Sequence, residues 1–412
     1  MRIKIRRSLK RDLTYHDAKR EIFSDEQFLK ELGAIASKKK LNGEKLNAEE
    51  ARLLCNGYLK EISARYTENR IFWKLCVAAA RRNVIGSFKK VYYNKDDIKT
   101  IRKLLKSSLV TITPNHRSVF DFIILSYILV KETTFLPIIL AADVFNAFPI
   151  GYLFRRMGAY FIRRSETDEM YSLVFKHYVM LILKYELLHM FFIEGGRNKT
   201  GAYSTPKKGI LKYILEGAKK YNPKKDLAFL PVNISYDIVP ESYIVVEESR
   251  TGVRKHIFRS VINYAAKKDL GSCYINFGKP VRLSAFSRSR KFSSEAEIVE
   301  SLGDFLINRI KSLVIVSPIS LISYTLLKAN NVKFEDIKFE EFKRSFKMNF
   351  ERLKRSKKNI AHIDLSKIPK YIDFAHKKGI INFDKKTGVI SISSQQKQLI
   401  EYYSSNILHL FG

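Results

Sequence analysis

A histidine and an aspartate five residues apart are the side chains of this sequence best suited to acid–base chemistry. His116 lies in a polar turn, and Asp121 lies at the start of the apolar run that follows. Ser118 and Asp121 have the spacing of a capping box, which predicts a helix beginning near Val119. The carboxylate could then accept a hydrogen bond from one ring nitrogen and leave the other to take a proton from an alcohol. Taken alone, such a pair is more often a helix cap beside a surface histidine.

A glycine-rich segment at residues 192–201 has the composition of a site that approaches a ligand closely. Gly195 and Gly196 end a strand-like run, and paired glycines let the backbone come near a bound group. The segment is not a nucleotide P-loop, because Ala202 and Tyr203 stand where that motif requires lysine and serine or threonine. On its own it is equally consistent with a basic surface loop.

Cationic side chains accompany these glycines and suit a phosphate. Arg197 can form two parallel hydrogen bonds to a phosphate. Point charge is added by Lys199, Lys207 and Lys208. A second pair, Arg163 and Arg164, follows another strand-like run. Adjacent residues of a strand face opposite ways, so only one of the pair is expected to enter a site, and the spacing does not say which.

The composition indicates a globular protein with anionic partners. The chain has 412 residues, of which 46% are hydrophobic, which predicts two or three folded domains. Lysine and arginine total 75 against 41 acidic residues, for a formal net charge of +34. Such a charge implies nucleic acid, an acidic membrane surface or phosphorylated substrates, and does not choose among them.

Several classes of site are excluded by motif and spacing. The three cysteines, Cys55, Cys76 and Cys273, are too far apart for a metal site or a disulfide framework, which fits a reducing compartment. The Gly-x-Ser-x-Gly of serine hydrolases and the His-Glu-x-x-His of metalloproteases are both missing from the sequence. We therefore expect no metal and no resident cofactor.

Membrane contact, if any, is expected to be peripheral. The basic start at residues 1–10 is not followed by the apolar segment of a signal peptide. The longest apolar run, at about residues 119–130, falls short of the roughly 18 apolar residues that a spanning helix needs.

Short apolar runs alternate with amphipathic ones between about residues 96 and 315, which predicts an α/β domain with a mixed sheet flanked by helices. Strands are predicted at 108–113, 159–162, 187–193, 228–235, 243–246 and 273–277. Helices are predicted at 119–130, 168–184, 208–220, 253–268 and 294–312. The polar segments follow strand ends, as expected for one site at one edge of a sheet.

The flanking regions are predicted to be mainly helical. We place a helical N-terminal region at 1–95, the catalytic domain at 96–315 and a mostly helical C-terminal domain at 316–412. A hairpin is predicted in the last of these, after Gly379.

Four polar segments, in this order, resemble the four motifs of the glycerol-3-phosphate acyltransferase superfamily, which shares a His-x4-Asp signature. The segments lie at 114–121, 158–165, 192–201 and 230–237. The glycerol-3-phosphate and dihydroxyacetone-phosphate branch, rather than the lysophosphatidate acyltransferases, is favoured by His-Arg-Ser at 116–118, Phe-Ile-Arg-Arg-Ser at 161–165 and Phe-Ile-Glu-Gly-Gly-Arg at 192–197 with Pro-Lys-Lys-Gly at 206–209. The tail segments at 316–322 and 402–411 also look like that branch, so the resemblance covers about residues 90–412.

The resemblance implies a glycerol-3-phosphate 1-O-acyltransferase of phospholipid biosynthesis, with acyl-CoA or acyl carrier protein as donor. His116 would be the general base and Asp121 its orienting partner. The acceptor phosphate would be bound by Arg163 or Arg164, Arg197, Lys199 and Lys207, in a site shaped by Glu194 and Gly195. The family's usual Gly-Gly-Arg-Ser-Arg is Gly-Gly-Arg-Asn-Lys here, and its Pro-Lys-Thr-Gly is Pro-Lys-Lys-Gly. Lysine keeps the charge but lacks the bidentate fork of arginine.

Alternatives to this reading differ in acceptor or in class. Dihydroxyacetone phosphate could be acylated by the same residues. A basic nucleic-acid-binding protein would explain the charge and predicts salt-sensitive oligonucleotide binding, but it leaves the ordered motifs unexplained. A relative without activity is disfavoured because His116 and Asp121 are both intact. Since the implied product is destined for a membrane, we expect basic and apolar surface to dock on an anionic bilayer at its cytoplasmic face.

Overall fold

The computed structural model of this chain has a sheet at its centre and describes residues 12–41, 44–164, 168–252, 269–329, 336–360 and 362–411. The strands of this sheet are β3 (Lys90–Tyr92), β4 (Leu109–Pro114), β5 (Ile138–Ala142), β6 (Ala159–Ile162), β7 (His189–Met190), β8 (Leu227–Tyr236), β9 (Ser272–Phe277) and β10 (Val281–Arg282). Over these described ranges the order is β3-β9-β8-β4-β7-β5-β6, with β10 paired to β8. The sheet is mixed, as the sequence predicted.

Parallel pairing brings the ends of five strands to one edge. β4 pairs in parallel with β7 and β8, and β5 pairs in parallel with β6 and β7. β9 runs antiparallel to β8, and β3 is parallel to β9. All six residues of β4 are buried, which is usual for a central parallel strand covered on both faces. The loops that follow β4, β6, β7 and β8 therefore lie along the same edge.

Helices surround the sheet on both faces. They are α1 (Tyr15–Phe23), α2 (Glu26–Ala36), α3 (Ala48–Ile62), α4 (Arg70–Asn83), α5 (Lys95–Ser107), α6 (Phe120–Thr133), α7 (Ile150–Arg156), α8 (Glu169–Lys184), α9 (Gly209–Tyr221), α10 (Ser242–Thr251), α11 (Leu283–Arg288), α12 (Glu295–Ser312), α13 (Pro318–Ala329), α14 (Phe339–Arg355), α15 (Ile368–Lys377) and α16 (Ser394–Ser405). Successive residues of β8 point to opposite faces. Leu230 packs in the core that contains α5 and α6, and Phe229 packs in the core that contains α8 and α9.

The N-terminal helices are fastened to the sheet through α8. Helices α1, α2 and α3 all pack against α8, whose side chains are buried on almost every side. Asp168 caps α8 by accepting the N–H groups of Met170 and Tyr171. The same carboxylate accepts hydrogen bonds from Lys39 at 2.5 Å and Tyr58 at 2.7 Å. A short hairpin of β1 (Lys40–Leu41) and β2 (Glu44–Lys45) joins α2 to α3.

The C-terminal helices share a core with the sheet. α13 packs against α14 and α16, and its apolar residues join the cluster that contains α5 and α6. The predicted hairpin is present as β12 (Asn382–Asp384) and β13 (Val389–Ser391), which are antiparallel, and β11 (Ile337–Lys338) pairs with β13. The predicted division into three regions stays a prediction. β3, which falls in the first predicted region, is an edge strand of the central sheet.

Most predicted elements of the central region agree with the structure to within three residues at each end, and two do not. Residues 243–246 were predicted as a strand but lie in α10, because a short apolar run also fits a partly buried helix turn. The strand predicted at 187–193 is reduced to β7, since the chain turns after it into the glycine-rich loop. The helix predicted at 253–268 lies outside the described residues. In the part of the chain that is described, no helix has the length and apolarity needed to cross a bilayer.

Candidate active site

The loop that carries His116 is fixed to the neighbouring strand by the residue before it. Asn115 is fully buried. Its side-chain oxygen accepts the N–H of Ile234 at 2.7 Å, and its amide donates to the carbonyl of Ile234 at 3.0 Å. The end of β4 is thus tied to β8 by a pair of side-chain hydrogen bonds, so the following residue has a defined position.

His116 and Asp121 contact each other, as their spacing predicted. Nδ1 of His116 lies 2.9 Å from Oδ2 of Asp121, and the carboxylate is fully buried while the imidazole is 14% exposed. The same oxygen accepts the N–H groups of Arg117 at 2.6 Å and Ser118 at 2.9 Å. Tyr236 donates its hydroxyl to the other oxygen at 2.5 Å. Because a carboxylate only accepts, Nδ1 carries the hydrogen, and the lone pair of Nε2 is left to act as a base.

The imidazole plane is set by two further contacts. The ring of Phe192 stacks on that of His116, with centroids 3.9 Å apart and an interplanar angle of 19°. The backbone N–H of His116 donates to Oε1 of Glu194 at 3.0 Å. These contacts hold the ring by its face and its backbone, which leaves its Nε2 edge to face a substrate.

Glu194 joins the His116 loop to the glycine-rich loop. Its second oxygen, Oε2, accepts the N–H of Ser204 at 2.9 Å and the side-chain amide of Asn198 at 3.1 Å. Asn198 in turn donates its backbone N–H to the carbonyl of His116 at 2.9 Å. Glu194, which was predicted to shape the site, is a buried carboxylate that accepts hydrogen bonds from N–H groups of two loops.

Gly195 and Lys207 lie against each other at the turn. Gly195 has a φ of +69°, and a Cβ added there would lie 2.5 Å from Cγ of Lys207. Lys199 and Lys207 are both exposed. Lys208, by contrast, pairs with Glu300 at 2.5 Å and Asp304 at 3.0 Å on α12. The charge of Lys208 is thus used within the fold.

Arg197 lies between two buried carboxylates. Its guanidinium is 3.6 Å from Glu241 and 3.6 Å from Glu248, and its side chain is 11% exposed. These distances exceed those of hydrogen bonds, and within the described chain its Nη1 has no hydrogen-bond partner. Burial raises the pKa of Glu241, and the nearby Arg197 opposes that rise. Arg197 therefore holds a positive charge close to the site, and its Nη1 can still donate a hydrogen bond to a ligand.

The two adjacent arginines after β6 have different surroundings. Arg163 forms a double hydrogen bond with Glu61 of α3, at 2.7 and 2.6 Å, and its guanidinium lies over the rings of Tyr58 and Tyr171. Arg164 is exposed and lines the same cavity as His116. The opposite directions expected of neighbouring strand residues are observed, and Arg164 is the one at the cavity.

An apolar cavity of about 130 Å³ opens beside His116. One part of its lining is Phe192, Gly195 and Gly196 of the glycine-rich loop, together with Arg164. Its remaining wall is made by Phe122, Ser126, Leu136, Ile139, Leu140, Ala141, Ala142, Phe145, Phe154, Met157, Ala159 and Ile162. This arrangement suits an alkyl group whose reacting end lies at the imidazole. A wider groove of about 820 Å³ between α10 and α16 contains none of these residues.

Comparison with known proteins places the chain. A family model described as acyltransferase matches residues 91–235, and one described as glycerol-3-phosphate acyltransferase C-terminal region matches residues 257–412. The chain thus contains an acyltransferase domain and a region that matches the C-terminal region of glycerol-3-phosphate acyltransferases. The resemblance seen in the sequence is confirmed.

Similar proteins are bacterial and considerably longer. The glycerol-3-phosphate acyltransferase of Pseudoalteromonas atlantica is 29% identical over 383 residues, covering 86% of this chain and 45% of that protein. Its counterpart from Baumannia cicadellinicola is 28% identical over 332 residues, covering 76% of this chain and 40% of that protein. The chain thus spans less than half of the length of these curated relatives. A solved 1-acyl-sn-glycerophosphate acyltransferase from Thermotoga maritima aligns at 15% identity and a TM-score of 0.36, over 58% of this chain and 78% of that one.

Sequence reasoning missed the acidic side of the site. Glu241 accepts the hydroxyl of Ser118 and the N–H of Val119, both at 2.6 Å, so it caps the helix that carries Asp121. Tyr236, whose hydroxyl donates to Asp121, was not among the predicted site residues. The one signal available was the position of Glu241, four residues after the fourth polar segment ends. A carboxylate there can reach the site only if the loop after β8 folds back toward the edge of the sheet.

Arg117 links the site to the C-terminal region. Its guanidinium is buried, donates to the carbonyl of Gly201 at 2.6 Å and to the side chain of Asn406 at 2.8 Å, and lies 4.5 Å from the ring centre of Tyr203. Gly201 has a φ of +83°, and a Cβ there would overlap the carbonyl of Tyr402. The glycine-rich loop is therefore packed directly on α16, so the C-terminal helices support the site.

Proposed function

We propose that this chain transfers a fatty acyl group from a thioester, acyl-CoA or acyl carrier protein, to the sn-1 hydroxyl of glycerol 3-phosphate. The observation that carries the proposal is the free Nε2 edge of His116 at the mouth of an apolar cavity. Similarity to curated glycerol-3-phosphate acyltransferases, in sequence and in the C-terminal region, supports the choice of acceptor.

The proposed reaction is a single displacement. Nε2 of His116 takes the hydroxyl proton while the alcohol oxygen attacks the thioester carbonyl carbon. The carbon–sulfur bond then breaks, and the thiolate leaves with the proton returned by the imidazolium. Asp121 stabilises the imidazolium through the 2.9 Å contact to Nδ1. No acyl-enzyme is required, because holding both substrates together supplies much of the rate.

The acyl chain is proposed to lie along the apolar wall of the cavity, and the phosphate at the end that Arg164 and the glycine-rich loop line. The cavity wall offers only apolar side chains and the hydroxyl of Ser126 to the acyl chain. For the phosphate we propose Arg164, which lines the cavity beside His116, together with Arg197, Lys199 and Lys207 of the glycine-rich loop and its C-terminal flank. Arg163 is proposed to position its neighbour by anchoring the end of β6 to Glu61.

The surroundings of the reaction follow from its substrates. The co-substrate supplies the activated acyl group, so proton transfer by His116 is the one chemical task assigned to the protein, and no resident cofactor is proposed. The acyl-bearing product partitions into lipid, so we propose action at the cytoplasmic face of a membrane, with peripheral attachment.

The decisive experiment measures release of free thiol from palmitoyl-CoA, with and without glycerol 3-phosphate. Acceptor-dependent release by the wild type and its loss in His116→Ala are expected. His16→Ala, an exposed histidine on α1, is the matched control and should retain activity. Dihydroxyacetone phosphate and an acyl-carrier-protein donor are compared in parallel arms. No acceptor-dependent release with any of these pairs would refute the proposal.

A further inference from the structure

Helix α4 has two apolar faces, of which the fold uses one. Trp73 is buried and packs with Val130 and Leu136. On the opposite side Ile71 is 70% exposed and Leu75 is 66% exposed. These two residues are four apart and share one face of the helix. Packing within the described chain therefore accounts for the inner face of α4 and not for the outer one.

A second exposed apolar group follows β5. Phe148 is 88% exposed, and Val144 and Tyr152 are both more than half exposed. Phe145 and Phe154, from the same segment of the chain, line the cavity beside His116. The segment thus presents aromatic side chains to the exterior and, from the same few turns, to the cavity.

The two exposed groups adjoin one another. The guanidinium of Arg156 lies 5.3 Å from the ring centre of Phe72 on α4 and 5.4 Å from that of Tyr152 on α7. It also donates to the hydroxyl of Thr67, just before α4, at 3.2 Å. We call the exposed side chains of Ile71, Leu75, Val144, Phe148 and Tyr152 the docking face.

Charge around the docking face has one sign on α4. The helix contains Arg70, Lys74, Arg81 and Arg82 and no acidic residue. All four cationic residues are exposed. An amphipathic helix with large apolar residues and cations on its outer surface matches the interfacial region of an anionic bilayer, where apolar groups enter the acyl boundary and cations meet phosphate.

We propose that the docking face binds an anionic lipid bilayer and holds the mouth of the cavity at the membrane surface. The part concerning the cavity rests on the proposed acyl transfer, because Phe145 and Phe154 connect the docking face to the wall beside His116. Lipid is favoured over a second protein because exposed apolar side chains and four exposed cations occur together on one helix that has no acidic residue. The surface would place the membrane where an acyl chain enters and an acylated product leaves.

The test is flotation of the full chain with vesicles of phosphatidylglycerol and phosphatidylcholine, and with vesicles of phosphatidylcholine alone. Phe148→Ser removes one aromatic side chain that would be buried in the bilayer, and Ile71→Ser with Leu75→Ser removes two aliphatic ones. Each variant should weaken partitioning into vesicles about tenfold or more. Neutralising Arg81 and Arg82 to glutamine should weaken binding roughly thirtyfold on anionic vesicles and not on neutral ones. Met348→Ser, which removes a side chain that is 68% exposed on α14, is the matched control.

Three readouts separate the possible results. Thermal unfolding shows that each variant is folded, and acyl transfer from octanoyl-CoA in detergent measures the active site without a bilayer. Loss of flotation with activity retained supports the proposal. If the variants lose flotation and the wild type itself shows no transferase activity, the docking face is supported and the proposed function is refuted. Flotation of the variants equal to wild type, no flotation of the wild type, or a dimer that the variants dissociate overturns the docking face.

Discussion

Asp121→Asn isolates the contribution of the negative charge beneath His116. The asparagine oxygen can replace Oδ2 and accept from Nδ1 of His116 and from the N–H groups of Arg117 and Ser118, now at 2.9, 2.6 and 2.9 Å. The amide group would face the hydroxyl of Tyr236, which can rotate to accept instead of donate. The variant should therefore fold and keep the imidazole in place while losing one charge.

The size of the effect follows from Coulomb's law. Unit charges about 4 Å apart interact by about 4 kcal/mol at an effective dielectric constant near 20. The hydrogen bond that asparagine retains to the imidazole keeps about 1 kcal/mol of this. A loss of about 3 kcal/mol of transition-state stabilisation corresponds to a kcat roughly 100-fold to 200-fold lower. The KM for glycerol 3-phosphate should change little, because Asp121 is fully buried and does not line the cavity.

The assay is the acceptor-dependent release of thiol at saturating donor, with thermal unfolding as the measure of folding. Tyr236→Phe is the matched control, since it removes one hydrogen bond at 2.5 Å and keeps the charge. It should lower kcat only a few-fold. A fall of less than about fivefold in folded Asp121→Asn would refute the electrostatic role of the carboxylate.

Three further changes test the loop, the cavity and a buried acid. The carboxylate of Glu194 accepts three N–H groups, and in Glu194→Gln one of them would face the new amide N–H₂, which is another donor. Urea denaturation should therefore show a free energy of unfolding lower by about 1–3 kcal/mol, and the thiol-release assay should show a lower kcat. Ala141→Phe fills the cavity, so activity with palmitoyl-CoA should fall at least about tenfold while that with octanoyl-CoA persists; equal losses would contradict the acyl site. Burial raises the pKa of Asp237 to about 7, above its unfolded value, so the unfolding free energy of the wild type should decrease as pH rises from about 4 to about 8, by roughly 4 kcal/mol. Asp237→Asn should remove most of this slope in urea titrations and be the more stable protein at pH 8.

What the sequence determined about this protein is largely local. His116 and Asp121 are joined by a turn and the first residues of a helix, so their spacing alone brings a ring nitrogen to a carboxylate. β4 and its neighbour β8 are buried along their whole length, and their mostly apolar sequences, which two covered faces require, are visible without a structure. The order of four polar segments after strands indicated one edge of one sheet, and parallel pairing placed them there.

What only the tertiary structure decided depends on partners distant in the chain. The spacing predicted that only one of two adjacent arginines would face the site. Arg163 is the one that faces away, because it pairs with Glu61, which is 102 residues distant in the chain. Tyr236 reaches Asp121 across 115 residues, and nothing in its own sequence context distinguishes a wall from a hydrogen-bond donor. The exposed face of α4 reads like a core stripe in the sequence, because periodicity shows that a helix is apolar on two sides and not which side is covered. Local geometry is set by bonds between near neighbours, whereas ion pairs, cavities and exposed faces are set by which elements pack together.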